Sequence, residues 1–366
     1  MAAADKKYIV SPLLDFILLG GGSLVLFPLI MYAFPVAQIR THNLLPAFFA
    51  ISLFFNYVAN FPHFLYSYQL LYQDFFKKAT GALDKPLQAL FIWASVVVPA
   101  AMVILFTYCY AYHDFILLGF AANIGVLISG WHYAKQAFGV LIVTSIYQKV
   151  FYTPWERKIL VWNANILWCY VWIMLNTGMH SREFWHAKFY TLGFPSGVQR
   201  LFLYLVCLGA LSCIFIFIRK YIKESVLPPL SGIVAYVTTL YFWLVLLRYY
   251  PSNTRIHPIV LLIPSMHAIQ YITIVFRMKH NENKLQKLTS MSLAFFIVGG
   301  FTLGVLGFVY VPRMLDRNFN TQGALYESVL FVTIFAVFIN IHHFFIDNVI
   351  WRKENSEVKN YLYEFH

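Results

Sequence analysis

Long apolar runs, separated by short polar segments, divide the chain ten times: residues 10–35, 43–72, 87–110, 114–146, 158–178, 197–218, 227–249, 257–277, 290–311 and 323–350. A helix needs about 20 apolar residues to cross a bilayer. Each run reaches that length, and several exceed it enough to require tilt or projection beyond the membrane. The fourth is long enough to predict a kink. The pattern predicts an all-α, polytopic integral membrane bundle of about ten transmembrane helices, or eight if two segments are re-entrant. It forms a single transmembrane domain over residues 1–366, with short termini at 1–9 and 351–366. The first run reads as an uncleaved span rather than a signal peptide. The longest stretch between runs, 179–196, reads as an interfacial segment, with Trp185 and Tyr190 suited to headgroup depth.

Composition agrees with this pattern and narrows the function. Of 366 residues, 60% are hydrophobic and 11% charged, where a soluble domain carries about 25% charged residues. A soluble enzyme and a disordered chain are both excluded. The net charge of +12 would suggest nucleic acid in a soluble protein, but no basic stripe lies in a polar domain, so nucleic acid is not an expected partner. The charge instead reports topology. With ten spans, 18 of the 27 Lys and Arg residues fall on one side and 8 on the other, with Lys135 left inside the membrane. The positive-inside rule then places both termini in the cytoplasm. Cys109, Cys169, Cys207 and Cys213 lie inside or at the ends of apolar runs without a C-x-x-C pair, and read as reduced structural thiols.

Against this background the ionisable residues inside the runs stand out. An ionisable group in hydrocarbon is costly, so it faces the bundle interior and often has a role. Asn60 and Pro62-His63 lie in the second run, and Trp131-His132-Tyr133 with Lys135-Gln136 in the fourth. The eighth run carries Ser265, His267, Gln270 and Tyr271, and the tenth carries Asn340, His342-His343 and Asp347. Counted along helices from their outer ends, His63, His132 and His342 all lie roughly 25–27 Å down, whereas His267 lies at roughly 12–15 Å. Pro264 is a candidate break that would alter that last depth. His343 and Asp347 are four residues apart and share a helix face, as do His267 and Tyr271.

Several imidazoles at one level in an apolar bundle suit a transition metal: iron is preferred, with copper or zinc as alternatives. The expected ligands are His63, His132, His267 and His343, with Asp347 as ligand or as the partner that orients a histidine. His342 points about 100° away from His343 and is a candidate for a second metal or, with local distortion, the same one. Lys135 and Tyr271 are candidates for catalytic acid–base or substrate-orienting roles. His42, His113, His180, His186, His257, His280 and His366 fall in loops or at ends and read as interfacial or solvated.

The expected activity is that of a metal-dependent oxidoreductase or oxygenase of lipid metabolism. It would use O2 on a lipid-soluble substrate such as an acyl chain or isoprenoid, with an electron-donor protein as a candidate partner. Two alternatives follow from the same residues. A proton- or metal-coupled transporter would use Lys135, Asp347 and the histidines. A haem b electron-transfer protein would use a pair such as His63 and His132. In its spread of intramembrane histidines the chain resembles the histidine-rich membrane desaturases and hydroxylases, although it has single histidines and one His-His pair in place of their HxxxH and HxxHH boxes. It resembles the bacterial membrane carotenoid-cleaving dioxygenases more loosely. The order His267-x-x-x-Tyr271 followed by His342-His343 is similar to the copper site of haem-copper oxidases, without positions for three haem-ligand histidines.

Overall fold

The computed structural model describes residues 7–33, 45–178, 181–184, 187–243, 258–319 and 329–363. Helices dominate. In chain order they are α1 (Pro12–Gly21), α2 (Ser23–Ala33), α3 (45–72), α4 (Lys85–Ala111), α5 (Phe115–Tyr147), α6 (Pro154–Leu175), α7 (Ser196–Glu224), α8 (Leu230–Phe242), α9 (Pro258–Leu285), α10 (Ser290–Phe319) and α11 (Leu330–Ile350).

Six of these helices are long and apolar enough to cross a membrane: α4, α5, α6, α7, α10 and α11. Counting the bent pair α1–α2 as one span makes seven. Among the described residues, six or seven spans is therefore the number that length and apolarity support, where ten were expected. The runs at 43–72, 227–249 and 257–277 do coincide with α3, α8 and α9. However, among the described residues α8 is a short apolar helix, and α9 ends in a polar segment containing Arg277, Lys279, Asn281 and Glu282.

Local chemistry explains several boundaries. Thr153 and Glu156 form a reciprocal capping box with Pro154 at the first helical turn, so α6 begins at 154 rather than the expected 158. Asp114 caps α5, its side chain accepting from the Leu117 amide at 3.0 Å. α5 then runs for 33 residues as one uninterrupted helix. At about 50 Å it is longer than the hydrocarbon is thick, which implies tilt or projection rather than the predicted kink. Pro264 does not end α9, which continues through it. α1 and α2 meet at a 48° bend. Gly20 there has φ +147°, a conformation that a residue with a Cβ rarely adopts.

The segment 179–196 holds an unforeseen element. Strands β1 (Ser181–Phe184) and β2 (Ala187–Tyr190) pair antiparallel. The Asn123 side chain on α5 donates to the Tyr190 carbonyl and to Asn176 Oδ1, both at 2.6 Å, which ties this hairpin to the bundle. Trp185, named above for headgroup depth, lies outside the described residues.

The interior is closely packed around small residues. A Cβ at Gly130 would collide with the Trp168 ring, whose indole N–H donates to the Leu127 carbonyl at 2.8 Å. Small residues where helices cross allow this approach in a membrane bundle, where water does not drive association. The exterior is apolar as well. On α7 the side chains of Leu201, Leu208, Leu211, Phe215 and Ile222 are all exposed. So large a continuous apolar surface has no stable state in water, and lipid is its natural solvent. The protein is thus an all-α, multi-pass membrane bundle with a small hairpin at one end.

Candidate metal centre

Four helices converge on one buried cluster. α3 contributes His63, α5 His132, α9 His267, and α11 both His343 and Asp347. All five are buried. The His63 ring centroid lies 4.9 Å from that of His343 and 5.5 Å from that of His267. The His132 ring lies 4.7 Å from His343 and 4.8 Å from His267. Two donor sets have all their atoms within 4.8 Å of one another: His63, His267 and His343, and His132, His343 and Asp347. With metal–nitrogen bonds of about 2.1 Å, ligand atoms around a single ion lie within about 4.2 Å of one another. Both sets are therefore compatible with one ion after small side-chain adjustment.

Hydrogen bonds decide which nitrogen two of the rings present. His63 Nδ1 lies 2.5 Å from the Asn60 carbonyl, which can only accept. Nδ1 of neutral His63 therefore carries the proton, and the Nε2 lone pair is free. Ser67 donates its hydroxyl proton to the Phe64 carbonyl at 2.5 Å, so its oxygen is left to accept. His343 Nδ1, 2.7 Å from that oxygen, is then the N–H donor, and its Nε2 carries the lone pair, 3.2 Å from His132 Nε2. Metal-bound histidines are held in this way, with the non-ligating nitrogen donating to an oxygen. The Tyr271 hydroxyl donates to Asp347 Oδ1 at 3.1 Å, leaving Oδ2 3.5 Å from His132 Nε2 and 3.6 Å from His343 Nε2. Tyr133 lies against the His267 ring, centroids 4.0 Å apart.

The cluster is under-satisfied as a purely hydrogen-bonded core. His63 Nε2, both His267 nitrogens and Asp347 Oδ2 are buried without hydrogen-bond partners. Each unsatisfied buried polar atom costs about 1–3 kcal/mol, and more if it carries charge. Lone pairs that face one another repel unless something positive lies between them. A cation bound by these atoms would remove both costs at once, so the residues present fit a transition metal with nitrogen-rich ligation.

The structure separates the remaining candidates. Tyr271 lies at the cluster, with its ring 5.5 Å from His63 and 5.7 Å from His343. His342 does not join it. Its Nε2–H donates to the Ala94 carbonyl at 2.8 Å, and its Nδ1 accepts from the Tyr68 hydroxyl at 2.7 Å. Both nitrogens are engaged between α11, α4 and α3, which is the geometry of a structural strut. Lys135 is also outside the cluster: it is exposed, with Nζ 5.3 Å from the Phe344 ring centroid. His113 and His280 are exposed, as expected. His42, His180, His186, His257 and His366 lie outside the described residues.

The orienting role of Ser67 was not assigned from the sequence, although a signal exists. Ser67 stands four residues after His63 and so on the same face of α3. Ser67→Ala is expected to lower metal affinity about 10–100-fold, the usual cost of losing a partner that orients a ligand. Metal titration monitored by competition with a chelator measures this loss, with Ser67→Thr expected to retain most of the affinity.

The π-type turn at 56–60 sits immediately before Pro62 and His63. Proline lacks the N–H that would close the regular helical bond there, and the widened turn accommodates the loss. Along the same stretch the Asn60 side chain donates to Asn56 Oδ1, and Asn56 to the Ser52 carbonyl, each at 2.8 Å.

No protein-family model, curated protein or solved structure matches this chain. The functional reading therefore rests on the geometry of the cluster.

Proposed function

We propose that the protein is a membrane-embedded, metal-dependent oxidoreductase, with a single non-haem iron held by His63, His132, His267, His343 and Asp347, acting with O2 on a lipid-soluble substrate. The carrying observation is the convergence of buried donors from four helices, with unpartnered atoms on His63, His267 and Asp347 and two imidazoles locked in the tautomer that points Nε2 inward. A mixed nitrogen and carboxylate donor set favours iron, manganese or zinc over copper, and of these iron supplies redox chemistry with O2.

The shared histidine supports one centre rather than two. His343 belongs to both donor sets. Its Nδ1 is committed to Ser67, so it has one lone pair to give and cannot bridge two ions. The haem reading is less well supported. A porphyrin needs an open slot between two imidazoles, whereas here the gap between His63 and His132 is bordered by His267 and His343. Asp347 and Tyr271 form the hydrogen-bonded pair best placed to hold or pass a proton beside the site. The burial of the centre within an apolar bundle supports a substrate that enters from lipid, and an electron-donor protein would dock at the exposed surface.

Metal analysis with a UV–visible spectrum of the detergent-purified protein tests this reading. One equivalent of iron without a Soret band is expected. A Soret band would favour the haem reading. Metal-free protein that resists reconstitution yet moves a polar solute into proteoliposomes would favour the transporter. In the proposed enzyme, Lys135→Ala leaves metal content unchanged because that side chain lies outside the cluster.

A further inference from the structure

We propose a second site, for an anionic phospholipid, at the beginning of α6. A groove of about 400 Å³ lies there between α5 and α6, and its lining includes Phe138, Tyr152, Arg157, Lys158, Val161 and Trp162. Two features identify its occupant.

The first is uncommitted charge. Arg157 and Lys158 are exposed and pair with no acid among the described residues. Nearby cations differ: Arg219 binds Glu156 at 2.8 Å, and Lys220 binds Glu224 at 2.7 Å. The amide of Glu156 is already capped by Thr153, so an anion here would be held by side chains rather than by the helix end. A guanidinium fork beside an ammonium suits a phosphate diester.

The second is the arrangement of charge above apolar surface. Arg157 is followed four residues later by Val161, and Lys158 by Trp162, so each cation stands one helical turn above an apolar side chain on its own face. Trp162 is 65% exposed, and Phe151, in the connection beside the groove, is 66% exposed. One turn is about 5.4 Å, so the headgroup phosphate would meet the cations while the first part of an acyl chain lies against Trp162, Val161 and Phe138. Basic pockets between helices are the kind of site that takes the headgroup of an anionic lipid.

Native mass spectrometry of the full-length, detergent-solubilised protein tests the proposal, with added phosphatidylglycerol or phosphatidylcholine as probes. One phosphatidylglycerol is expected to remain bound under conditions that strip phosphatidylcholine. Each basic residue near the surface contributes about fivefold, so the double variant R157Q/K158Q should lose about 30-fold in retention. The control K77Q/K85Q, which removes two exposed cations elsewhere, should lose none. Equal retention of the two lipids would overturn the proposal, as would full retention by R157Q/K158Q. Displacement of phosphatidylglycerol by millimolar inorganic phosphate would also overturn it, since that identifies a soluble-phosphate site. Should the double variant not fold, as judged by its melting curve, K158Q alone carries the test with a fivefold expectation.

Discussion

Replacing His343 with alanine is expected to abolish stable metal binding, whereas replacing its neighbour His342 leaves metal content intact. His343 is the one residue common to both donor sets, and its Nε2 lies 3.2 Å from His132 Nε2. Its loss removes a ligand and leaves Asp347 Oδ2 one imidazole fewer to face. The affinity should fall by more than about 100-fold, beyond the range seen when only an orienting partner is lost. His342→Ala acts through folding. It leaves the Ala94 carbonyl and the Tyr68 hydroxyl without their partner, at about 1–3 kcal/mol for each buried group. Metal content and melting temperature, measured on both variants, read the two effects separately. Equal metal loss in well-folded His342→Ala and His343→Ala would refute the assignment of the centre.

Glu156→Ala is expected to cause the largest loss of stability among single charge removals in the α6–α7 pair. Glu156 is fully buried. Its Oε1 accepts from Arg219 at 2.8 Å, and its Oε2 lies 3.8 Å from Lys220 and accepts from the Thr153 amide at 2.8 Å. Lys220 is itself fully buried, with Nζ 5.2 Å from the Tyr152 ring centroid. Removing one partner from a buried ionic cluster leaves the other charges uncompensated, at about 3–5 kcal/mol. The same change ends the capping box, which adds about 1 kcal/mol. Glu224→Ala removes a 40%-exposed carboxylate whose place water can partly take beside Lys220, and should cost less than Glu156→Ala. Thermal melts in detergent compare the two variants. Equal melting temperatures would show that burial of Glu156 contributes nothing.

The candidate site was partly legible along the chain because hydrocarbon makes polar residues conspicuous. His63, His132, His267, His343 and Asp347 interrupt apolar runs, and an ionisable group there must face the interior. The i,i+4 relation between His343 and Asp347 placed both on one face of α11 before any contact was known. The same reasoning did not distinguish His342 from His343. Adjacent residues on a helix differ only in direction, and which direction faces the cluster depends on how α11 is rotated against its neighbours.

Depth shows a second limit. Counting from helix ends put His267 about 12 Å above the other histidines. In the structure its ring lies 4.8 Å from that of His132. Such counting assumes flush helix ends, whereas α9 begins nine residues before His267 and α3 begins eighteen residues before His63. The helices are therefore staggered along their axes, which sequence alone does not encode.

By itself the sequence determined the solvent of this protein, the helical character of its runs and the identity of the few polar groups that hydrocarbon must enclose. These follow from transfer free energy and from backbone hydrogen bonding, both properties of local stretches. The tertiary structure decided the stagger and rotation of α3, α5, α9 and α11, and through them which histidines meet. It also decided which nitrogen His63 and His343 offer, because Asn60 and Ser67 hold their protons on the far side. The physical reason is range: burial is set residue by residue, but a coordination geometry exists only once side chains from distant parts of the chain share a few ångströms.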